Sequence, residues 1–132
     1  MILLDTSVLV NFLSGRSTRA TLLLERLVIE QAEFYLTGPV IQEVLQGARD
    51  PAEWRRLEVY LSSQLRVQAR DPLRSYVEAA RIYFECRRKG LTVRSTADCL
   101  VAQIALENKL ALLQDDRDFE AIAQVRPLRT LP

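Results

Sequence analysis

Short continuous apolar runs alternate along this chain with longer stretches in which apolar residues recur at helical spacing. The clearest run is Met1–Leu4, which ends abruptly at Asp5. A continuous apolar run is typical of a strand buried on both faces, since a strand with one face in water would alternate. Glu33–Leu36 and Leu110–Leu113 predict two further strands. Weaker patterns predict a short strand at Leu65–Gln68 and an edge strand at Val125–Leu128.

Between these runs, apolar residues recur at spacings of three and four, which predicts amphipathic helices. Prolines, glycines and small polar residues mark where the helices begin and end. The predicted helices run from Thr6 or Ser7 to Gly15, from Ser17 or Thr18 through Val28, from Thr37 through Leu45, from Pro51 to Ser63, from Pro72 to Lys89, from Ser95 through Ala105, and through Phe119 and Ile122. Strands that alternate with helices predict a three-layer α/β/α fold with a central, mainly parallel sheet of short strands.

The length and composition predict one globular domain. The chain has 132 residues, of which 48% are hydrophobic and 27% charged, and it has no internal repeat or linker, so we expect a single domain over 1–132. No apolar run approaches the roughly 20 residues that cross a bilayer, and the first residues lack the features of a signal peptide. We therefore expect a cytoplasmic protein without a membrane partner. The net charge of +1 gives no general indication of nucleic-acid binding.

The absence of histidine limits the chemistry of the chain. With no histidine, the commonest general base and the commonest zinc ligand are both missing. Cys86 and Cys99 do not have the spacing of a metal site, and two buried thiols are expected. Any hydrolytic reaction must therefore use carboxylates, hydroxyls, arginines or a metal.

Acidic residues stand where the predicted elements meet. Asp5 and Asp116 each follow a predicted strand, and Glu43 and Asp98 each lie in the first turns of a helix, beside its apolar stripe. In a parallel sheet with short connections, strand ends and the helix starts that follow them share one edge, where ligands bind. Each residue also has a structural explanation: Asp5 and Asp116 as helix caps, Asp98 in a capping box with Ser95, and Glu43 as a solvated charge.

Taken together, the four carboxylates favour a metal site. Like charges within ~4–6 Å disfavour one another, so a cluster of them needs a compensating charge. No histidine or lysine lies in the pattern, and the natural compensation is a hard divalent cation such as Mg²⁺ or Mn²⁺. One or two such ions can activate water and stabilise the leaving oxygen of a phosphodiester. Arg94, at the start of the helix that carries Asp98, is expected to lie near the scissile phosphate.

Four segments of the chain resemble the PIN-domain family, and within it the VapC-type toxins of bacterial toxin–antitoxin pairs. They occur in the family's order and spacing and span nearly the whole chain. The segments are Leu4-Asp5-Thr6-Ser7 with Asn11, then Pro39-Val40-Ile41-Gln42-Glu43-Val44-Leu45-Gln46-Gly47, then Arg94-Ser95-Thr96-Ala97-Asp98-Cys99-Leu100-Val101-Ala102, and finally Leu112-Leu113-Gln114-Asp115-Asp116-Arg117-Asp118-Phe119.

The resemblance implies a metal-dependent endoribonuclease that acts as a toxin. Its catalytic and metal-binding residues would be Asp5, Glu43, Asp98 and Asp116 around Mg²⁺, with Mn²⁺ able to substitute. Supporting residues would be Thr6, Ser7, Asn11 and, through water, Asp118. The closing motif departs from the family in having Gln114 where Thr or Ser is usual, which leaves open whether Asp115, Asp116 or Asp118 reaches the metal.

The resemblance also implies partners. The substrate would be RNA, the family usually forms homodimers, and a small antitoxin would silence the toxin by placing a basic side chain at the acidic site. Helices near Val8–Leu13 and Leu22–Val28 carry enough apolar residues to offer a groove for an antitoxin helix. The RNA that is cut and the number of metal ions stay open.

Three alternative functions remain to be compared with the toxin. A housekeeping PIN nuclease would process RNA, but the small size of the chain and the absence of an accessory domain favour the toxin. An inactive binding module usually lacks at least one of the four acids, and all four are present. A phosphate-accepting receiver domain needs a lysine after a later strand, and the only lysines, Lys89 and Lys109, are not placed there.

Overall fold

The computed structural model describes residues 1–132 and consists of four short strands and seven helices. The elements, in chain order, are β1 (Ile2–Leu4), α1 (Thr6–Leu13), α2 (Arg19–Ile29), β2 (Phe34–Tyr35), α3 (Gly38–Gln46), α4 (Pro51–Ser62), α5 (Pro72–Arg88), α6 (Thr96–Glu107), β3 (Ala111–Leu113), α7 (Asp118–Ala123) and β4 (Thr130–Leu131). None of the helices is both long and apolar enough to span a membrane.

The four strands form one parallel sheet in the order β2-β1-β3-β4. Leu3 and Leu4 are adjacent in β1, so their side chains point to opposite faces of the sheet, and both are fully buried. All three residues of β3 are buried as well. The sheet is therefore covered on both faces, as the continuous apolar runs predict, and the predicted α/β fold class is confirmed.

The order of the strands creates a crevice at one end of the sheet. From β1 the chain passes to β2 on one side, and it later returns to add β3 on the other side of β1. Where connections leave adjacent parallel strands in opposite directions, the carboxyl ends of the strands border a crevice that commonly binds ligands. The backbone N–H of Asp5, just after β1, donates to the carbonyl oxygen of Leu113 at the end of β3, at 3.0 Å. This bond fixes the two strand ends that border the crevice.

The sequence pattern misplaced the edge strand. Val125–Leu128 was predicted as a strand, but β4 is Thr130–Leu131, which pairs with Leu112 and Leu113. Pro127 explains the error, because it has no N–H to donate to a ladder and falls inside the predicted strand. The buried side chain of Leu128 accounts for the apolar pattern without any strand.

The predicted strand at Leu65–Gln68 is reduced to a single bridge. Arg66 pairs with Leu36 in the parallel sense, and no named strand includes it. The N–H of Val67 donates to the carbonyl oxygen of Leu36, and the N–H of Leu36 donates to the carbonyl oxygen of Leu65, both at 2.9 Å. This segment therefore covers the free edge of β2 with only one short contact.

Candidate metal centre

Asp5 is held at the end of β1 by the residues that begin α1. It caps α1, as predicted, by accepting hydrogen bonds on Oδ2 from the Ser7 N–H at 3.0 Å and from the Ser7 hydroxyl at 2.6 Å. The residue is only 2% exposed, and its other oxygen, Oδ1, is buried without any hydrogen-bond partner. The cap accounts for one oxygen of Asp5 and leaves the second unexplained.

Glu43 reaches the same edge of the sheet from α3. The Thr6 hydroxyl donates to Glu43 Oε1 at 3.0 Å, which ties α3 to the first residue of α1. Burial raises the pKa of Asp5, the hydrogen bonds from Ser7 lower it, and the negative charge of Glu43 raises it further. Burial is the main cause of the net upward shift, and the charge of Glu43 is the smallest of these contributions.

Asp98 is buried and does not form the predicted capping box. Ser95 is the N-cap residue of α6, but its side chain makes no capping hydrogen bond. Asp98 is instead turned inward and is 5% exposed, with its Oδ2 atom lacking a partner. The cap explanation for Asp98 is therefore wrong, because a capping carboxylate would lie in solvent beside the first turn.

Asp118 lies deeper in the site than the sequence indicated. It is 2% exposed, and its Oδ2 accepts hydrogen bonds from the N–H of Arg94 at 2.9 Å and of Ser95 at 3.2 Å. Phe119, the next residue, is fully buried and anchors the start of α7 in the core. No local sequence signal marks this burial, because it depends on how α7 packs through Phe119.

Asp116 completes a group of three carboxylates. Oxygen atoms of Asp98, Asp116 and Asp118, one from each residue, all lie within 4.8 Å of one another. Asp116 Oδ1 accepts from the N–H of Asp118 at 2.9 Å, so the turn before α7 orients both side chains. Gln114 supports this turn, because its Oε1 accepts from the Asp116 N–H at 2.7 Å. The amide therefore makes a hydrogen bond at the position where the family usually has a hydroxyl.

Arg94 is the one cation in direct contact with the group. Its Nη2 lies 3.0 Å from Asp116 Oδ1, and its Nε lies 3.3 Å from Asp118 Oδ1. These contacts raise the pKa of the guanidinium, first through the hydrogen bond to Asp118 and then through the charge of Asp116. The predicted substrate-binding arginine therefore also neutralises part of the acidic cluster.

The pKa values of Asp98 and Asp118 are shifted in opposite directions. Burial, a hydrogen bond to Asp118 and the negative charges of Asp5, Asp116 and Asp118 raise the pKa of Asp98 to about 9. Burial also acts to raise the pKa of Asp118, but hydrogen bonds from Asp98, Arg94 and Ser95 outweigh it and lower the value. At neutral pH, Asp98 is therefore the protonated partner and donates to the Asp118 carboxylate.

The remaining predicted residues lie around this group. Asn11 donates to Asp115 Oδ2 at 3.0 Å and contacts none of the clustered carboxylates directly. Thr37, which the sequence did not single out, follows β2 at the same edge of the sheet, and its buried hydroxyl oxygen has no partner. Of the four predicted catalytic acids, Asp98 and Asp116 lie in the group of three carboxylates. The negative charge of Asp5 raises the pKa of Asp98, and the negative charge of Glu43 raises that of Asp5.

These donor atoms fit a hard divalent cation. Buried carboxylate oxygens without hydrogen-bond donors are costly, and a cation is the ligand that satisfies them. Asp5 Oδ1 and Asp98 Oδ2 are such atoms, and the group contains only oxygen donors. Oxygen-only sites favour Mg²⁺ and Mn²⁺ over softer metals.

The sequence matches a known protein family and individual ribonucleases. Residues 2–125 match the model of the PIN domain family. The chain is 33% identical over 130 residues to ribonuclease VapC11 of Mycobacterium tuberculosis, covering 98% of this chain and 96% of the relative. A VapC ribonuclease of Mycobacterium bovis shows the same identity and coverage.

Solved structures share the fold. The VapBC2 structure from Rickettsia felis, bound to a DNA fragment from its promoter, aligns with a TM-score of 0.75 at 18% identity over 99% of this chain and 98% of that chain. VapBC-1 from nontypeable Haemophilus influenzae aligns with a TM-score of 0.75 at 16% identity over 99% and 97%.

Proposed function

This chain belongs to the PIN domain family, and we propose that it is a metal-dependent endoribonuclease that acts as the toxin of a toxin–antitoxin pair. Its relatives named VapC ribonuclease, which it matches along nearly its whole length, support this activity. We propose that the whole of 1–132 forms the nuclease domain. The observation that carries the proposal is the pair of buried, unpartnered carboxylate oxygens on Asp5 and Asp98 at the edge of the sheet.

The proposed metal ligands are Asp5, Glu43, Asp98 and Asp116, as the sequence predicted, with Asp118 now added. Asp118 is supported by its place within the group of three carboxylates, where it is as deeply buried as Asp5. Bound there, Mg²⁺ or Mn²⁺ would supply an activated water and a counter-charge for the leaving oxygen of a phosphodiester. The chain's own contribution is to hold these oxygens in position, with Asp5, Asp98 and Asp118 buried.

Hydrogen bonds orient the two flanking carboxylates before any cation binds. Ser7 fixes Oδ2 of Asp5 and leaves Oδ1 free, and Thr6 fixes Oε1 of Glu43. Preorganised ligands of this kind bind a metal without the cost of ordering flexible side chains. We propose supporting roles for Thr6 and Ser7 on this basis, and for Asn11 through its hydrogen bond to Asp115.

Asp98 is proposed to change its protonation state when the cation binds. In the metal-free protein Asp98 is protonated at neutral pH, because its pKa is raised to about 9. A coordinating carboxylate is deprotonated, so the proton leaves for solvent as the site fills. Arg94 holds Asp116 and Asp118 in place meanwhile, and its exposed guanidinium is proposed to bind the RNA phosphate next to the scissile bond.

A groove beside Glu43, lined by both apolar and charged side chains, supports an antitoxin partner. The groove has a volume of about 760 Å³, and its walls come from α1, α3 and α4. Val10 and Leu13 from α1 form one wall, and Glu43 lies within it. An amphipathic antitoxin segment would bury apolar side chains against Val10 and Leu13 and place a cation beside Glu43. Leu22 and Val28 of α2, which the sequence predicted for this groove, are exposed but do not line it.

A homodimer is proposed on a separate surface. The first half of α5 exposes Leu73, Tyr76 and Val77, with exposed fractions of 73%, 58% and 50%. These residues lie on one face of the helix at spacings of three and four. Exposed apolar residues that adjoin in this way commonly mark a protein interface.

The proposed function is tested by RNA cleavage with purified protein. Labelled total RNA is incubated with Mn²⁺, with Mg²⁺ and with excess EDTA, using the wild type, Asp5→Asn, Glu43→Gln and Asp98→Asn. We expect cleavage only with metal, and a loss of about 100-fold or more in each variant, since even supporting groups around metals cost 10–100-fold. Asp50→Asn, which keeps the cap of α4, is the matched control and should cut normally.

The outcomes separate the alternatives. Undiminished cleavage in EDTA would overturn the metal mechanism. Binding of RNA without cleavage would favour an inactive binding module. If the protein cuts RNA but co-expression of the adjacent small reading frame does not relieve growth arrest, a housekeeping nuclease would be favoured.

A further inference from the structure

Asp115 is the acidic residue of the closing segment that faces away from the carboxylate group. Its Oδ2 accepts from the Thr18 hydroxyl at 2.7 Å and from the Asn11 side-chain amide at 3.0 Å. Neither contact involves an oxygen of the close group formed by Asp98, Asp116 and Asp118. Asp115 therefore joins the end of β3 to the connection between α1 and α2.

The same residue also reaches Asp5 through its backbone. The Asp115 N–H donates to the Ser7 hydroxyl oxygen at 2.9 Å, and that hydroxyl donates to Asp5 Oδ2 at 2.6 Å. The chain of bonds orients the Ser7 hydrogen toward Asp5. Asp115 thus connects Asp5, a proposed metal ligand, to the segment that joins α1 and α2.

The α1–α2 corner, residues 14–18, carries Arg16 between the two tethered residues. Asn11 holds this segment at one end, because its carbonyl oxygen accepts from the Arg16 N–H at 2.9 Å while its amide binds Asp115. Thr18 holds the other end and also caps α2. The side chain of Arg16 and that of Arg19, directly after Thr18, are exposed, and neither takes part in an ion pair.

We propose that Asp115 is a positioning residue that pins the α1–α2 corner to the rim of the acidic site, where Arg16 and Arg19 bind RNA phosphates flanking the scissile bond. This inference rests on the proposed ribonuclease function. An acidic site repels the phosphates of its own substrate, and free guanidinium groups on the rim offset that repulsion. Arg94 is already paired with two carboxylates, whereas Arg16 and Arg19 have their full charge available.

Phosphate contacts are measured by the salt dependence of RNA binding, without any need for cleavage. Binding of a fluorescein-labelled single-stranded RNA oligonucleotide is followed in EDTA over a series of KCl concentrations. Each phosphate contact contributes ~0.7 to the slope of log K against log salt concentration for a single strand. We expect Arg16→Ala/Arg19→Ala to lower the slope by about 1.4 relative to the wild type.

The matched control is Arg26→Ala/Arg129→Ala. Both arginines are exposed and free of ion pairs, and they lose the same charge. Arg129 directly precedes β4, and Arg26 lies in the last turn of α2, so both are away from the carboxyl edge of the sheet. We expect the control to keep the wild-type slope. Equal slopes for the two double variants would overturn the phosphate role of Arg16 and Arg19.

The positioning role of Asp115 is tested with two substitutions. Asp115→Asn keeps an oxygen that accepts from Thr18 and Asn11, whereas Asp115→Ala removes it. We expect Asp115→Ala to lower the salt slope and to raise KM for RNA cleavage several-fold with a smaller change in kcat, and Asp115→Asn to restore both. If Asp115→Asn fails as badly as Asp115→Ala, the carboxylate charge is what matters and the positioning role is wrong.

The results also distinguish this inference from the proposed function. If the salt slope falls as expected in Arg16→Ala/Arg19→Ala but the wild type never cuts RNA, the phosphate role of Arg16 and Arg19 stands and the nuclease function is overturned. If the wild type cuts RNA but Arg16→Ala/Arg19→Ala has the same salt slope as the wild type, the nuclease function stands and the phosphate role of Arg16 and Arg19 is overturned. Failure of the wild type to bind the oligonucleotide at all would overturn the inference.

Discussion

Carboxyl oxygens of Asp98, in the first turn of α6, and of Asp118, at the start of α7, lie within 4.8 Å of each other, and a hydrogen bond between the two groups raises the pKa of Asp98 and lowers that of Asp118. Two carboxyl groups can form such a bond only when one of them holds a proton. Because the pKa of Asp98 is about 9, it is the proton donor over the physiological range. The metal-free site therefore stores a proton at the position where we propose that a cation binds.

Metal binding should release this proton. The metal-bound form needs a deprotonated Asp98, and the metal-free form keeps it protonated below about pH 9. The apparent affinity for Mn²⁺ should therefore rise with pH, by up to about tenfold per unit for one released proton. Calorimetric titrations in buffers with different ionisation enthalpies measure the proton directly. Equal affinities at about pH 6 and about pH 8 would contradict this linkage.

The same shift makes the metal-free protein sensitive to alkali. The pKa of Asp98 in the folded chain is about 9, well above its ordinary value of 3.8. Over the interval between about 4 and about 9, the folded state holds a proton that the unfolded state has lost, so this group's contribution to stability falls as pH rises. We expect Asp98→Asn to remove that part of the pH dependence in thermal melts. If the stability of Asp98→Asn falls with pH as steeply as that of the wild type, Asp98 is not the group that causes this pH dependence.

Arg94 should matter most when the metal is absent. Its two ion pairs offset the charges of Asp116 and Asp118, and a divalent cation would replace that function. We expect Arg94→Ala to lower the free energy of unfolding in EDTA, with a smaller loss in Mn²⁺. Arg74→Ala, which breaks the exposed pair with Glu78, should respond equally in both conditions. Equal losses for Arg94→Ala with and without metal would show that the guanidinium does not serve as a counter-ion.

Arg94→Ala should also weaken RNA cleavage if the guanidinium binds the phosphate. A variant that cuts RNA at the wild-type rate would leave Arg94 with an electrostatic role in the metal-free protein alone. The cleavage assay described above decides this point when it is run at limiting RNA concentration.

The groove beside Glu43 should accept the antitoxin. Leu13 lies in the wall of the groove at the end of α1 and is exposed. Leu13→Asp should weaken binding of the protein encoded by the adjacent short reading frame by at least about tenfold, because a charge would then be buried against apolar side chains. Val59→Asp, on an exposed part of α4 outside the groove, should bind normally. Equal binding by both variants in a titration would place the antitoxin elsewhere.

The exposed face of α5 should hold two copies together. The chain has a mass of 15.1 kDa, so light scattering distinguishes a monomer from a dimer. We expect the wild type to be dimeric and Tyr76→Asp to be monomeric, because a charge at the centre of an apolar interface is costly. A wild type that stays monomeric at high concentration would remove the dimer from the proposal.

Much of the fold could be predicted from the sequence, because a strand that is buried on both faces appears as a continuous apolar run. Met1–Leu4 and Leu110–Leu113 are continuous apolar runs, and they became the two central strands, β1 and β3. The edge strand could not be placed in this way. A two-residue edge strand buries little, and the apolar residues before it, such as Leu128, are buried for other reasons.

The candidate site was predictable in position and less so in detail. The end of β1 and the start of α6 were sufficient to bring Asp5 and Asp98 to one edge of the sheet. The burial of Asp118 depends on how α7 packs through Phe119, and no local pattern specifies that packing. The separation of Asp115 from the other acids likewise depends on a contact with Thr18, a residue distant in sequence.

The claim that these carboxylates form a metal site is tested most directly by thermal melts of the wild type and Asp98→Asn, each in EDTA and in Mn²⁺. Asn keeps the size of the side chain and, unlike Asp98, is neutral without taking up a proton on folding, so we expect Asp98→Asn to stabilise the metal-free protein by about 1 kcal/mol. The same substitution should abolish most of the stabilisation that Mn²⁺ gives the wild type, since that stabilisation depends on occupancy of the site. An unchanged Mn²⁺-induced shift in Asp98→Asn, together with no gain in stability in EDTA, would contradict the account.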